Sequence, residues 1–367
     1  MAGEAIAELD LSTYRPRGAG LVWLNAHDRR RDLRHRDAAL RPLLSVVLPA
    51  RDDVAPPPPG SSIDETADAL ARLRAFASDQ AVAILLESDA QATNRALEVL
   101  RAWTEAGAPE LPAHRACDAG SDARVRELQK TILPLLMLAG LVQAQCIWNQ
   151  PDGRIIGWLG RLLVRLENYA LGGWLVGADP RCGHRIVRDV ATMAFGGLTA
   201  DAHRFRVGIR RYFMALAQLN SCHEWPEARG HGPFAAWWCC RQIGCLLLIA
   251  ELARMHGYDL FNAEFNGCRL HDAIGRFVDT VEEACVIAPM DGYMAEIAGD
   301  SLDLHFLHRD LEGAHPLSWI ELYAFACPYA PCLRRLWSLG RRSVVRQRPL
   351  IDPFVAGNAS AFWALAV

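Results

Sequence analysis

The stretch Asn220-Ser-Cys-His-Glu-Trp-Pro-Glu-Ala-Arg-Gly230 separates two apolar runs, Ala202–Leu219 and Ala235–His256, that both have helical spacing. Pro and Gly residues interrupt helices, so the stretch is predicted to be a turn between two long helices. The turn carries a group of polar and charged side chains, which are His223, Glu224, Glu227 and Arg229.

Helical spacing recurs along most of the chain, and alternating strand patterns are almost missing. Ser62 followed by Glu65 is a capping box, which predicts that the first long helix begins there. Gly107 and Pro109 predict the end of the second helix. Further predicted helices cover about 122–148, 155–169, 184–198, 202–219, 235–256, 270–286 and 318–327. Helices of similar length joined by short loops predict an all-α fold built from helix pairs.

The chain divides into three parts by composition. Residues 1–59 are predicted to be an irregular segment with basic runs and a β-like run at Leu44–Leu48, ending at the prolines Pro56–Pro59. Residues 60–345 are predicted to form the helical domain, and residues 346–367 a C-terminal tail.

Composition limits the possible classes of protein. The chain has 367 residues, of which 51% are hydrophobic, and this is enough to bury a large core. No run approaches the about 20 uninterrupted apolar residues of a membrane span. The acidic N-terminus has no apolar signal sequence, so we expect either a cytoplasmic protein or a sequence that is trimmed or incomplete. The eleven cysteines lack metal-ligand spacing and are predicted to be mostly buried, reduced thiols.

Charge patterns argue for some partners and against others. The net charge of −3 gives no overall attraction for a polyanion, but residues 181–211 hold seven arginines against two aspartates. This basic segment is either a solvated helix face or a polyanion groove. A sequence pI of about 6.5 argues against nucleic-acid binding by the arginine-rich run 334–348. Nucleotide-binding, zinc-protease and serine-hydrolase motifs are not present.

The turn and its surroundings resemble the alginate lyases, also called poly-mannuronate lyases. Residues Trp225–Gly230 are similar to that family's loop with Pro, Glu and Arg-Gly, and the next helix ends in Gly257-Tyr-Asp-Leu260, similar to its Gly-x-Asp-Leu. Other similar motifs follow in the family's order at residues 96–108, 155–162, 211–219 and 317–323. The resemblance covers roughly residues 60–340. It implies an incomplete (α/α) toroid of paired antiparallel helices, with a central groove for a uronic-acid polymer.

The resemblance also implies a reaction, β-elimination at a uronic acid. The carboxylate must be neutralised, a base must remove the C5 proton, and an acid must protonate the leaving O4. His184 and Arg229 match the family's catalytic His and substrate-binding Arg. The family's Asn and Tyr are replaced by Gly183 and Ala236.

Nearby side chains are predicted to complete the site. Either His223 or His231 is predicted to supply an imidazole for proton transfer, and His223 is predicted to be catalytic with His184 and Arg229. Glu224 and Glu227 suggest either glycoside hydrolysis or a salt bridge with Arg229. The predicted substrate-binding residues are Arg185, Asn220, Trp225, Glu227 and Trp238.

Two functions follow from these residues. The first is a polysaccharide lyase that cleaves a uronic-acid-containing polysaccharide by β-elimination, with no metal or cofactor. The alternative is a catalytically impaired relative that binds acidic exopolysaccharide during export or assembly. In both cases the expected partner is an acidic polysaccharide, and the resemblance implies the bacterial periplasm.

Overall fold

A computed structural model gives the structure of the protein. The residues it describes are 9–20, 22–35, 54–87, 90–109, 123–145, 153–172, 184–287, 294–297, 300–307, 314–339 and 344–365. Most of them are helical, as the spacing predicts. The helices are α1 (Ala26–His35), α2 (Ile63–Glu87), α3 (Ala90–Glu105), α4 (Ala123–Gln145), α5 (Gly153–Gly172), α6 (His184–Thr199), α7 (Ala202–Ala217), α8 (Ala235–Met255), α9 (Leu270–Ile287), α10 (Trp319–Ala326), α11 (Leu333–Trp337) and α12 (Ala359–Trp363).

Strands in the described residues are short and form three antiparallel pairs. The paired strands are β1 (Glu264–Phe265) with β2 (Cys268–Arg269), β3 (Met294–Ile297) with β4 (Asp300–Asp303), and β5 (Ile351–Asp352) with β6 (Gly357–Asn358). Short 3₁₀ helices lie at Pro226–Phe234, which is kinked at Gly232, and at His305–Leu307, Pro316–Ser318, Val344–Gln347 and Pro353–Val355.

The predicted start of the first long helix, α2, is confirmed by two hydrogen bonds between Ser62 and Glu65. The backbone nitrogen of Ser62 donates to Oε2 of Glu65 at 2.8 Å, and the backbone nitrogen of Glu65 donates to Oγ of Ser62 at 3.2 Å. This is the reciprocal pair of a capping box. The second helix ends at Glu105, just before Gly107, whose φ is +65°.

Helices α6 and α7 form a tight antiparallel hairpin, because only Ala200 and Asp201 connect them. Gly196 makes the close approach possible, since a Cβ there would lie 2.5 Å from the backbone nitrogen of Phe205. Asp201 caps α7 by accepting hydrogen bonds from the backbone nitrogens of His203 and Arg204.

Helix α8 is the centre of the packing and contacts α6, α7, α9 and α10. The stretch Gly230–Met255 is the one part of the described chain that is long and apolar enough to cross a membrane. In its most apolar window 67% of residues are buried inside the protein. The contacts with four other helices account for this burial by core packing.

The starts of α6 and α8 lie at the same end of this bundle. Phe205, near the start of α7, packs on His256, just after the end of α8, with ring centroids 5.0 Å apart. At the opposite end, Nε1 of Trp225 donates to the carbonyl oxygen of Ala215, near the end of α7. Helix α7 is therefore antiparallel to α8 as well as to α6, so α6 and α8 run in the same direction.

The two terminal segments differ from the prediction. The basic run 29–31, expected to be irregular, lies in helix α1, and Nη2 of Arg29 donates to the carbonyl oxygens of Ala361 and Ala364. The expected tail is buried rather than extended, and the side chains of Phe362 and Trp363 are fully buried. Arg29 is buried as well, because its guanidinium binds backbone carbonyls of that segment. The predicted β-like run 44–48 lies outside the described residues.

Buried ion pairs also hold the C-terminal segment in place. The guanidinium of Arg348 binds both carboxylate oxygens of Glu321, at 2.7 and 2.8 Å, and Oγ of Ser360 donates to the same carboxylate at 2.9 Å. Burial raises the pKa of Glu321, and Arg348 opposes that rise.

Each cysteine in the described part of the chain is a free thiol.

Candidate active site

The turn between α7 and α8 is organised by Asn220. Its side-chain oxygen accepts hydrogen bonds from the backbone nitrogens of Cys222 at 2.8 Å and Glu224 at 2.9 Å. Its backbone carbonyl accepts from His223, which has a φ of +59°, in the left-handed region. The amide oxygen that was predicted to bind substrate is therefore used to shape the turn.

Glu224 connects the turn to helix α9. Its Oε1 lies 2.6 Å from Nη2 and 2.7 Å from Nε of Arg276. Both side chains are partly exposed, and this pairing raises the pKa of Arg276. Glu227 is partly buried in the 3₁₀ turn that follows. Since Glu224 is held in an ion pair, the arrangement gives no support to a pair of hydrolytic carboxylates.

The aromatic residues of this region do not have the exposure that was predicted. Trp225 and Trp238 are each only 2% exposed, and their rings pack edge to face with centroids 6.2 Å apart. Neither ring therefore has a free face for a sugar. Trp237 is 39% exposed instead, and the guanidinium of Arg241 lies 5.1 Å from its ring centroid. Adjacent helix positions point in different directions, so the sequence could not decide which indole was accessible.

Unsatisfied polar atoms gather around the turn and the first turns of α8. Four of the ten buried side-chain atoms without a hydrogen-bond partner in the described residues lie here: Nδ1 of His223, Nε2 of His231, Nε1 of Trp238 and Oε1 of Gln242. His231 stacks on Trp238, and Gln242 follows Trp238 by one helical turn. A buried polar atom without a partner costs about 1–3 kcal/mol. Such a cluster is typical of a place where a ligand or water completes the bonding.

Helix α6 contributes a second polar group. Asp189 is 3% exposed and accepts hydrogen bonds from Nε of Arg188 at 2.9 Å and from Nε of Arg211 at 2.5 Å. These buried ion pairs were not predicted from the sequence, because Arg211 lies on a different helix from Asp189.

The two positions that match the family's catalytic residues, His184 and Arg229, both lie at or just before the start of a helix. His184 is the first residue of α6, and Arg229 lies in the 3₁₀ turn that leads into α8. Because α6 and α8 run in the same direction, both positions are at the same end of the bundle. Arg185 is partly buried beside His184, and Gly183 lies outside the described residues.

The position of the missing tyrosine is closed to solvent. Ala236, in the first turn of α8, is 4% exposed. No cluster of three or more His, Cys, Asp or Glu side chains suitable for a metal ion occurs among the described residues.

Comparison with known protein families identifies the family of this chain. The family model of alginate lyase matches residues 34–284. This chain belongs to the alginate lyase family. A comparison with curated protein sequences found no match.

Solved structures of alginate lyase A1-III share the fold. The structure from Sphingomonas species A1 is 16% identical, with a TM-score of 0.72 over 98% of this chain and 99% of that chain. A tyrosine-to-phenylalanine variant complexed with tetrasaccharide is 17% identical, with a TM-score of 0.73 over 98% and 99% of the two chains. A histidine-to-alanine variant complexed with tetrasaccharide has a TM-score of 0.70 at 16% identity, again over 98% and 99%. The predicted (α/α) toroid is therefore confirmed.

Proposed function

We propose that this alginate lyase family member cleaves a uronic-acid-containing polysaccharide by β-elimination. The observation that carries the proposal is the cluster of unpartnered buried polar atoms at His223, His231, Trp238 and Gln242. It adjoins the turn that holds Arg229. Family membership and the tetrasaccharide complexes of alginate lyase A1-III support an acidic oligosaccharide as the ligand.

The proposed reaction needs one positive group and two proton carriers. Arg229, with His184, neutralises the carboxylate at C6, so the C5 proton becomes more acidic. A base takes that proton, the C5–H electron pair forms the C4=C5 double bond, and the C4–O4 bond breaks. An acid then protonates O4, which leaves an unsaturated sugar at the new non-reducing end.

His223 and His231 fit the two proton-transfer roles. Ala236 has no group that can carry a proton, so the tyrosine of the family pattern needs a replacement. Each imidazole has one buried ring nitrogen without a protein partner. A neutral imidazole accepts a proton at one nitrogen and an imidazolium donates one, and both forms exist near neutral pH.

A second function has its own support. Gly183 and Ala236 replace two side chains of the family pattern, which favours a relative that binds acidic exopolysaccharide without cleaving it. In that case the protein binds an oligouronate saturably and forms no unsaturated product. For either function we propose the bacterial periplasm as the compartment, which fractionation of the source cells tests.

Arg229 provides the test of substrate contact. The substitution Arg229→Ala is expected to weaken oligouronate binding by about 1.5–3 kcal/mol, as for a lost charge-assisted contact. A thermal melt and a binding titration on the same variant separate this role from a structural one. A lower melting temperature with unchanged binding would contradict the substrate contact.

A further inference from the structure

A surface groove lies between α5, α6 and α7, away from the candidate active site. Its volume is about 460 Å³. It is lined by Ile156, Gly157, Gly160, Arg161, Val164, Arg165, Phe195 and Arg204. Phe195 follows His184 by 11 residues, which corresponds to about 16 Å along α6. The groove is therefore at the other end of α6 from the candidate active site.

Two glycines of α5 give the groove its shape. A Cβ at Gly160 would lie 3.4 Å from Cζ of Phe195, so the missing side chain leaves the edge of that ring uncovered. A Cβ at Gly157 would lie 3.6 Å from Nη1 of Arg161. The guanidinium of Arg161 therefore lies close to the glycine and covers part of its surface. The floor is apolar, and Val164 on its rim is 46% exposed.

The charged residues that line the groove are all arginines. The guanidinium of Arg204 lies over the ring of Phe195, 4.7 Å from its centroid, and pairs with Asp201 at 3.5 Å. Arg165 donates to the carbonyl oxygen of Pro109. For Arg161, the structure shows neither a hydrogen bond nor an ion pair with another described residue, and its side chain is exposed. Arg161 and Arg165 are four residues apart and so lie on one face of α5.

We propose that this groove is a second binding site for the acidic polysaccharide, which holds a remote part of the polymer while the active site acts on another. The identity of the polymer rests on the proposed function. A polyuronate carries one carboxylate on each ring and has apolar ring faces. A row of arginines above an apolar floor matches both features, whereas a small inorganic anion would leave the floor unused.

The groove also suits a long polymer better than a short one. An oligosaccharide that fills the active site gains nothing from a groove about 16 Å away along α6. A chain that reaches both sites binds the second one at high effective concentration, so its affinity rises without a new contact in the active site.

Two substitutions test the charge and the shape of the groove separately. Arg161→Glu reverses the charge of the exposed guanidinium, and Gly160→Leu fills the groove without changing any charge. Arg210→Glu is the matched control, because Arg210 is an exposed arginine of α7 that does not line the groove. Thermal melts of all three variants, measured first, test whether each variant keeps the fold.

The readout is equilibrium binding of a long polyuronate and of a tetrasaccharide, measured by affinity electrophoresis and calorimetry. Both groove variants are expected to weaken binding of the long polymer at least about tenfold and to leave tetrasaccharide binding unchanged, while the control changes neither. Unchanged polymer binding in both groove variants would overturn the proposal. An equal loss for polyadenylate would assign the groove to polyanions in general and overturn it too. All proteins in this comparison also carry His184→Ala, so the polymer stays intact during the titration and the result does not depend on whether the original protein cleaves it.

Discussion

The imidazole of His231 stacks on the indole of Trp238, with ring centroids 5.2 Å apart and planes inclined by 21°. The buried nitrogens of both rings, Nε2 and Nε1, have no hydrogen-bond partner in the structure. The stack fixes the orientation of the imidazole against Trp238, which follows Ala236, the position of the family's tyrosine, by two residues. The geometry therefore favours His231 as a replacement for the missing proton carrier.

The first prediction separates stacking from proton transfer at His231. Phenylalanine keeps an aromatic ring on Trp238 but cannot carry a proton. His231→Phe is expected to keep the melting temperature and to lower kcat by about 100-fold, within the range of general acid–base catalysis. Turnover of a polyuronate and a thermal melt measure the two effects. Full activity in a folded His231→Phe variant would remove His231 from the mechanism.

The second prediction concerns His223, whose backbone is in the left-handed region. Asparagine tolerates that conformation, so His223→Asn removes the imidazole with little strain. We expect a loss of kcat of about 100-fold with unchanged stability. His223→Gly is the control for the backbone, since it keeps the same φ and also lacks the imidazole. If both variants cleave at the normal rate, His223 has no role in proton transfer.

The third prediction concerns the exposed indole next to the turn. Trp237 is 39% exposed with Arg241 on its ring, so it is able to stack on a sugar. Trp237→Ala is expected to weaken oligouronate binding by about 1 kcal/mol, or about fivefold. Tyr329→Ala, at a ring that is 96% exposed outside the site, is the control. Equal titration curves for the two variants would argue against a stacking role.

The fourth prediction concerns the buried carboxylate on α6. Asp189 is bound by Arg188 and Arg211, so Asp189→Asn leaves two arginines without their counter-charge. The free energy of unfolding is expected to fall by about 3 kcal/mol, as for other broken buried pairs. Glu264→Gln breaks an exposed pair with Arg269 and should cost less than about 1 kcal/mol. Urea denaturation compares the two variants, and equal costs would show that Asp189 does not act as a buried ion-pair centre.

The fifth prediction is a pH dependence at Glu251. Burial raises the pKa of this fully buried carboxyl above its ordinary value of 4.5, and Arg254 opposes the rise. The folded state therefore holds the proton at pH values where the unfolded chain has lost it. As a result, stability falls as the pH rises from about 4.5 through the raised pKa.

Glu251→Gln removes this titration. The free energy of unfolding of the original protein, measured relative to the variant, is expected to fall as the pH increases over that range. Urea denaturation at several pH values measures the difference. The same series on Glu264→Gln, at an exposed residue, is the control. A constant difference across the range for Glu251→Gln would contradict the raised pKa.

The sequence predicted the helices well because their ends carry local signals. The Ser62–Glu65 capping box and the stop at Gly107 are readable without any tertiary contact. Helix α1 and the buried C-terminal segment were missed, because they depend on distant partners. Arg29 binds the carbonyl oxygens of Ala361 and Ala364, more than 300 residues away, and no local pattern encodes such a contact.

The candidate site was only partly predictable for the same reason. The turn was identified from its Pro and Gly residues, but the accessibility of its indoles depends on packing. Trp225 and Trp238 bury each other, which leaves Trp237 at the surface. The use of Asn220 inside the turn follows from a side-chain hydrogen bond that spacing alone does not reveal.

The most direct test of β-elimination is incubation of the protein with poly-mannuronate, poly-guluronate and glucuronan while the ultraviolet absorbance of the unsaturated product is followed. We expect absorbance to rise with at least one polymer, and His184→Ala and His231→Phe to slow the rise by about 100-fold or more while both variants stay folded. Saturable binding with no increase in absorbance for any polyuronate would contradict β-elimination and leave a binding protein.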